Sequence, residues 1–585
     1  MPMLSEPIGG NRPLQLHALL QQLAQQTLIS PADITPTLQA HKPGQHPLLT
    51  LAQRQFPGPK GQPLCLEQLT QWLAEQAGLP YRRIDPFRLD VASVTSQVSA
   101  AFAKYHQILP LEVAPEHVVV ATAEPWVTGW VAGLATATRR RIERVVANPQ
   151  VIEHLIGQLF HLAHSVNGAQ QAAQAGLAAL QRLPAPPEGE QAPVSDIINW
   201  LLNYAFEQGA SDIHLEPRSE QAQVRLRIDG MLLCVYSLPT AVATAVTSRL
   251  KSLGQLNLAE KRKPQDGRFR HTTAQGKAIE LRVSTLPTAF GEKTVVRLFN
   301  PELLLQNLPA LGLAGAQLAR WQGIIHQPNG IILVTGPTGS GKTTTLYATL
   351  HELARPEVNL CTIEDPIEVV NPALNQMQVR HNINLGFASG LRALMRQDPD
   401  IIMVGEIRDV ETAHMAVQAA LTGHLVLSTL HTNDAPAAVT RLQEMGVPHH
   451  LINATLLGVM AQRLLRTLCP YCKAAGAINE QDWHALIHPW RAPAPARVFS
   501  PVGCDECHGT GYKGRMAIYE IMLMTDRLKA QVGPATPLAR LRARACQDGM
   551  RPLRIGATVE LAAGNVCVQE VLRVTPAAQG NSVVC

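Results

Sequence analysis

The stretch Gly336-Pro337-Thr338-Gly339-Ser340-Gly341-Lys342-Thr343 constrains the fold more than any other in the chain. It matches G-x-x-x-x-G-K-[ST], follows the apolar run GIILVT and opens the helical run TTTLYATLHELA, so a strand must turn through a glycine-rich loop into a helix. Glycines let backbone N–H groups wrap a phosphate chain, Lys342 brings a positive charge to the outer phosphates, and the Thr343 hydroxyl is a magnesium ligand. Gly336 to Thr343, with the adjoining Thr344, are therefore expected to hold ATP and Mg2+. The runs GIILVT, DIIMVG and HLVLSTL are apolar on both faces, the pattern of a parallel sheet covered on both sides, so the fold class from about residue 306 onward is α/β.

Hydrolysis needs acidic groups beside such a loop. DPDIIMVGEIRD places Glu406 just past a strand end, where α/β sheets put their sites, and Glu406 is expected to polarise the attacking water. Asp400, at the strand's start, reads as structural. TIEDPIE adds Glu364 and Asp365, either of which could hold magnesium through water. His424 and His431 bracket LVLSTL; His424 reads equally as a packed residue, while His431, followed by Thr-Asn-Asp, is better placed to sense the terminal phosphate.

Four of ten cysteines form two C-x-x-C pairs, Cys469/Cys472 and Cys504/Cys507, within residues 466–515. In a long chain with no visible secretory signal this spacing predicts a structural zinc centre rather than a disulfide framework. Four thiolates leave no open coordination position, which excludes metal catalysis there.

The 585 residues exceed one ordinary domain several times over. Residues 1–182 read as a mainly helical α+β domain with a helical extension, and the four prolines of LPAPPEGEQAPV mark a linker at 183–194. Residues 195–305 begin with a helix and continue in alternating strands, with Asp229-Gly230 as a hairpin turn, giving a second α+β domain with an antiparallel sheet. Its strand arginines, Arg225, Arg227, Arg282 and Arg297, fit a solvated sheet face or a phosphate-facing one equally well. Net charge is only +5 and charged residues are 16%, which argues against nucleic-acid binding. No run is long and apolar enough to span a bilayer, so a cytoplasmic protein is expected.

GASDIHLEP, VRLRIDG, KRKPQDGRF, RVSTLPTAFGEKTVVRL, GPTGSGKTTTLY, IEDPIE, DPDIIMVGEIRD, GHLVLSTLHTND and GCDECHGTGYKGR follow one another in order. Over residues 195–575 the chain thereby resembles the type II secretion ATPases, the general secretory pathway protein E family, relatives of the type IV pilus extension ATPases. The resemblance implies a RecA-like ATPase domain at 306–585, containing the tetracysteine zinc insert, joined to a smaller PAS-like domain at 195–305 and an N-terminal docking domain. It also implies a homo-hexameric ring with ATP between the two larger domains. Arg282 and Arg297 would swing onto the nucleotide, and Arg392, Arg396, Arg408 and Arg441 fall where the family has important arginines. The implied partners are an inner-membrane platform protein, the cytoplasmic domain of a bitopic membrane protein and an acidic phospholipid surface, with no nucleic acid. The implied work is pseudopilus assembly and protein export from the cytoplasmic side of the inner membrane. Pilus extension is the alternative and DNA translocation the remote one. The N-terminal third matches only around GLPYRRIDPFRLD and ILPLEV, and cyclic-di-GMP is not expected to bind there.

Overall fold

Alternation of apolar and polar residues marks strands of the antiparallel sheet in the first half of the chain, and continuous apolar runs mark the central strands of the sheet in the second. A computed structural model describes residues 11–57, 63–175, 193–273, 276, 278–298, 304, 306–488 and 490–576. The chain divides into two units, Met1–Leu298 and Phe299–Cys585.

In the first unit, helices Leu16–Gln25, Pro47–Gln53 and Leu66–Ala77 bury Leu19, Leu20, Leu23, Leu48, Leu51, Leu69 and Leu73 in one core. Strands β1 (Ile108–Val113), β2 (His117–Thr122) and β3 (Arg141–Val146) form a small sheet, β1 antiparallel and β3 parallel to β2. Helix α1 (Pro149–Ala175) sets Ile152, Leu155, Ile156 and Leu159 in the core of that sheet. Further along, its Leu162, Val166 and Ala169 join a second core with helix α2 (Pro193–Glu207). Residues 183–192 of the expected linker lie outside the described residues; Pro193 and Val194, counted with it, instead open α2, because proline suits the first turn of a helix.

Strands β4 (Asp212–Pro217), β5 (Gln221–Ile228), β6 (Met231–Pro239), β7 (Gln265–Thr272), β8 (Ala278–Thr288) and β9 (Gly291–Leu298) make an antiparallel sheet ordered β6-β5-β4-β9-β8-β7. Asp229 and Gly230 both take positive φ, 49° and 82°, as a two-residue hairpin requires. Strand β7, QDGRFRHT, escapes sequence reading because it lacks apolar alternation; so does helix α3 (Thr240–Leu253). Ile213, Leu215, Val224, Leu226, Leu281, Val283 and Val296 share the buried core with α2 and α3. Between them alternate the polar positions, and the register lines up Arg227, Asp212, Arg297, Arg282 and Arg268 in one row across five strands.

The second unit holds β10 (Gly330–Thr335), β11 (Leu360–Glu364), β12 (Asn375–Gln378), β13 (Ile401–Val404), β14 (Leu425–Leu430), β15 (Leu456–Leu468), β16 (Ala474–Gly476), β17 (Val498–Ser500) and β18 (Tyr512–Leu523). Seven of these form a sheet ordered β12-β11-β13-β14-β10-β15-β18, parallel except for the edge strand β18, which runs antiparallel to β15. The fully buried β10, β13 and β14 are the strands legible in the sequence; β15 and β18 carry more polar side chains and are not. Helix α4 (Lys342–Leu353) follows the glycine-rich loop, and α5 (Pro436–Glu444), α6 (Leu538–Gln547), α7 (Leu553–Ala562) and α8 (Val568–Val574) cover the far side.

Helix α8 is tied to β15 by charge. Glu570, fully buried, accepts from the Arg466 backbone N–H at 2.9 Å and its Nε at 3.0 Å, and from Arg573 Nε at 2.9 Å. The Arg466 guanidinium also stacks 4.2 Å above the Tyr512 ring. Breaking a buried pair leaves its partner uncompensated, so Glu570→Ala is expected to cost ~3–5 kcal/mol. Denaturant unfolding followed in the second unit checks this, as a shift in midpoint at unchanged slope.

Candidate functional site

Strand β15 passes so close behind the glycine-rich loop that two of its glycines have no room for a side chain. A Cβ on Gly336 would stand 2.6 Å from the Gln462 carbonyl oxygen and 2.6 Å from Ser340 Oγ; one on Gly341, at φ 87°, would stand 2.8 Å from Gln462 Nε2. The loop delivers the chain into α4, whose first turn carries Lys342, Thr343 and Thr344 with backbone N–H groups unpaired by the helix. Lys342 curls back over the loop and donates to the carbonyls of Gly336 at 2.8 Å and Pro337 at 3.2 Å. Burial brings its ammonium down to about 8, against the pull of the Glu406 charge.

The neighbouring strand ends add the other charges. Gly405 closes β13 and Glu406 follows it, paired with Arg408 and 3.6 Å from His431 Nε2 at the end of β14. Burial and the Lys342 charge hold the His431 ring below its ordinary value, so the imidazole is neutral near pH 7. Lys342, Glu406, Arg408 and His431 thus meet at the C-terminal ends of β10, β13 and β14, where doubly wound sheets place ligands. A loop of N–H groups with a lysine on it and a carboxylate in front can hold a polyphosphate and polarise a water.

The remaining sequence candidates are distributed as follows. Glu364, at the end of β11, is buried and accepts from Tyr347 Oη at 2.7 Å, Thr362 Oγ1 at 2.7 Å and Gln376 Nε2 at 3.2 Å, so its carboxylate is engaged by the protein. Asp365 beside it faces His381 at 3.3 Å, and its charge also acts on Arg408. Asp400 caps Asn359 N–H at 2.7 Å, and His424 Nδ1 lies 2.9 Å from the Ala419 carbonyl. Arg392 pairs with Glu411 at 3.2 Å and Arg441 with Glu444 at 3.2 Å. Arg396 lies past the end, at Leu394, of the helix that carries Arg392; the chain turns at Asp398, φ 50°, before Pro399. Arg282 and Arg297 belong to the first unit, where Arg297 Nε donates to Asp212 at 3.0 Å.

Sequence reading missed Gln462 and Arg463. Gln462 Oε1 accepts from Thr345 in α4 at 2.7 Å, and Arg463, 6% exposed, donates from Nη2 to the Asn433 carbonyl at 2.7 Å. The signal was there: a Gln-Arg pair inside the apolar run LLGVMAQRLLRTL.

The cysteines form a second centre. The sulfurs of Cys469, Cys472, Cys504 and Cys507 all lie within 4.8 Å of one another, with Cys469–Cys504, Cys472–Cys507 and Cys504–Cys507 at 3.8 Å. A tetrahedron with ~2.3 Å metal–sulfur bonds has edges of about 3.8 Å, so the donor set fits a tetrahedral zinc ion. Burial opposes ionisation of Cys507, yet N–H groups of Cys504 and Gly511, 3.2 and 3.1 Å from its sulfur, hold its thiol below the ordinary value. The helix Glu480–Ile487 and the β16–β17 pair occupy the insert between the knuckles and account for its length.

The family model described as type II/IV secretion system protein matches residues 188–573, and that of the MshEN domain matches residues 77–166. The type IV pilus assembly ATPase TfpB of Acinetobacter baylyi is 49% identical over 522 residues, 88% of this chain and 89% of that protein. The type II secretion system protein HxcR of Pseudomonas aeruginosa is 48% identical over 384 residues, 66% of this chain and 78% of that protein. Among solved structures, the ATPase DotB of Legionella pneumophila is 20% identical, with a TM-score of 0.48, over 67% of this chain and 97% of its own.

Because burial lowers the Lys342 pKa, a phosphate chain laid against its ammonium must raise it. Nucleotide binding at pH 8.5–9 is therefore expected to take up close to one proton per site, with affinity falling as pH rises past about 8. Titration calorimetry in buffers of different ionisation enthalpy reads the uptake directly, and Lys342→Ala removes it.

Proposed function

The chain belongs to the type II/IV secretion system protein family, and on that premise we propose that it is an ATP-hydrolysing motor that powers assembly of a type IV pilus. The convergence of Lys342, Glu406 and His431 at the ends of three parallel strands carries the hydrolytic part. Gly336 to Thr344 would cradle ATP and Thr343 would hold magnesium, with Asp365 and Glu364 as the nearby carboxylates that could help hold it. Glu406 polarises a water for attack on the terminal phosphorus; the new P–O bond forms as the bond to ADP breaks, and His431 senses the phosphate that leaves. Row-mates Arg282 and Arg297 supply positive charge to the nucleotide of the same or a neighbouring subunit of a hexamer.

The filament assignment rests on coverage. The pilus assembly relative from Acinetobacter aligns over 88% of this chain, so the likeness includes much of the N-terminal third, whereas HxcR aligns over 66%. Type II secretion, the reading the sequence motifs favour, stays as the second one because HxcR is 48% identical over 384 residues. In either system the partners are an inner-membrane platform protein and the cytoplasmic part of a bitopic membrane protein, with the motor docked at the inner membrane. Among the described residues no helix is long and apolar enough to cross a membrane. The four cysteines hold one structural zinc.

Glu406→Gln is expected to lower ATP turnover by roughly 10^2–10^4 while leaving nucleotide binding intact. Complementation of a strain lacking the gene separates the two readings: restored surface pili with unchanged protein export supports pilus assembly, and the reverse result supports secretion. Cys507→Ser is expected to drop the metal content from one zinc per chain to none and to lower the melting temperature, by elemental analysis and calorimetry.

A further inference from the structure

Residues 431–435 run as one short segment from the candidate catalytic cluster to the helices on the far side of the unit. His431 begins it, 3.6 Å from Glu406. Thr432 is anchored to the end of β10, its N–H donating to Thr335 Oγ1 at 2.8 Å. The Asn433 carbonyl accepts from Arg463 Nη2 at 2.7 Å. Asp434 accepts from Arg542 Nε, in α6, at 2.9 Å, and caps α5 through the Ala437 N–H at 2.9 Å. The Ala435 N–H donates to Glu520 Oε1 at 2.8 Å, and the other oxygen of that buried carboxylate takes the Leu553 N–H at the start of α7, at 3.0 Å.

Arg463 is bonded to the segment and lies against the back of the phosphate loop. Its Nη1 donates to the Gln462 carbonyl at 3.0 Å, the same oxygen that crowds Gly336, and stands 3.1 Å from where a Gly336 Cβ would be. A planar fork with fixed donor directions can hold two such points in one geometry, which a lysine's single ammonium cannot. The guanidinium is buried and its charge is matched by Asp434 and Glu520 nearby.

We propose that Arg463 is a positioning residue for hydrolysis: it pins the 431–435 segment to the phosphate loop, so that His431 and Glu406 keep their spacing over the nucleotide held there. This rests on the ATPase reading above. The residue acts through the Asn433 carbonyl and the Gln462 carbonyl packed behind the loop, so its loss should slow the chemical step more than it weakens binding.

The test uses the full chain with Arg463→Gln and Arg463→Lys, measuring kcat, KM, the dissociation constant of a non-hydrolysable ATP analogue and the melting temperature. Arg463→Gln is expected to lower kcat at least tenfold with the dissociation constant changed less than threefold, and Arg463→Lys, which keeps charge without the fork, to recover only part of the rate. Combined with Glu406→Gln, Arg463→Gln is expected to add less than its own tenfold, since both disturb one cluster. A kcat within twofold of the parent for Arg463→Gln overturns the proposal. So does a loss of rate in Arg463→Lys matched by an equal loss of affinity or of folded protein. Absence of turnover in the unmodified chain, by contrast, would count against the ATPase reading itself.

Discussion

The narrow gap between β15 and the phosphate loop is the constraint on which the second unit depends. A backbone carbonyl of Gln462 lies where a side chain on Gly336 would have to go, so the loop is shaped by its neighbour strand as much as by its own glycines. Gly336 and Gly341 are needed for room, while Gly339, with open space around it, is needed for its positive φ. The packing turns the loop carbonyls toward Lys342, whose ammonium burial brings down to about 8.

Charge organises what surrounds the gap. Three buried acids of this unit meet backbone N–H groups or arginines: Glu520 on two helix starts, Asp434 on α5 and Arg542, Glu570 on Arg466 and Arg573. Glu520 ties α5 and α7 to β18, Asp434 ties α5 to α6, and Glu570 ties α8 to β15. Burial pushes the Glu520 carboxyl up to about 7, offset by the backbone N–H of Ala435, a sign of how little water reaches the contact between β18 and the helices. The tetracysteine knuckles stand where β15 leaves the sheet and β18 enters it, so a bound metal would fix the ends of the same two strands.

How much of this could be read from residues alone divides along physical lines. The glycine-rich loop, Glu406 after its strand and the four cysteines were legible because backbone wrapping, strand-end placement and tetrahedral thiolates each demand a fixed spacing. Strands β10, β13 and β14 were legible because both their faces are buried. Strand β7 was not, since its polar sequence is held by pairing with β8 rather than by its own alternation. Arg463 and Gln462 were not, since their importance lies in contacts from 30 to more than 100 residues away in sequence. The arginine row was half visible: the residues stood out, but only the strand register brings Arg227, Arg268, Arg282 and Arg297 level with one another around Asp212.

Helix α1 has a mechanical meaning beyond its packing. Its 27 residues make a rod of about 40 Å whose upstream half is bolted into the small three-stranded sheet and whose downstream half is bolted into the core under the antiparallel sheet. A beam clamped at two places by close-packed side chains has no play between its clamps. Force applied to the small sheet therefore arrives at the arginine-bearing sheet as displacement rather than being absorbed along the way, as it would be by a flexible tether of the same length.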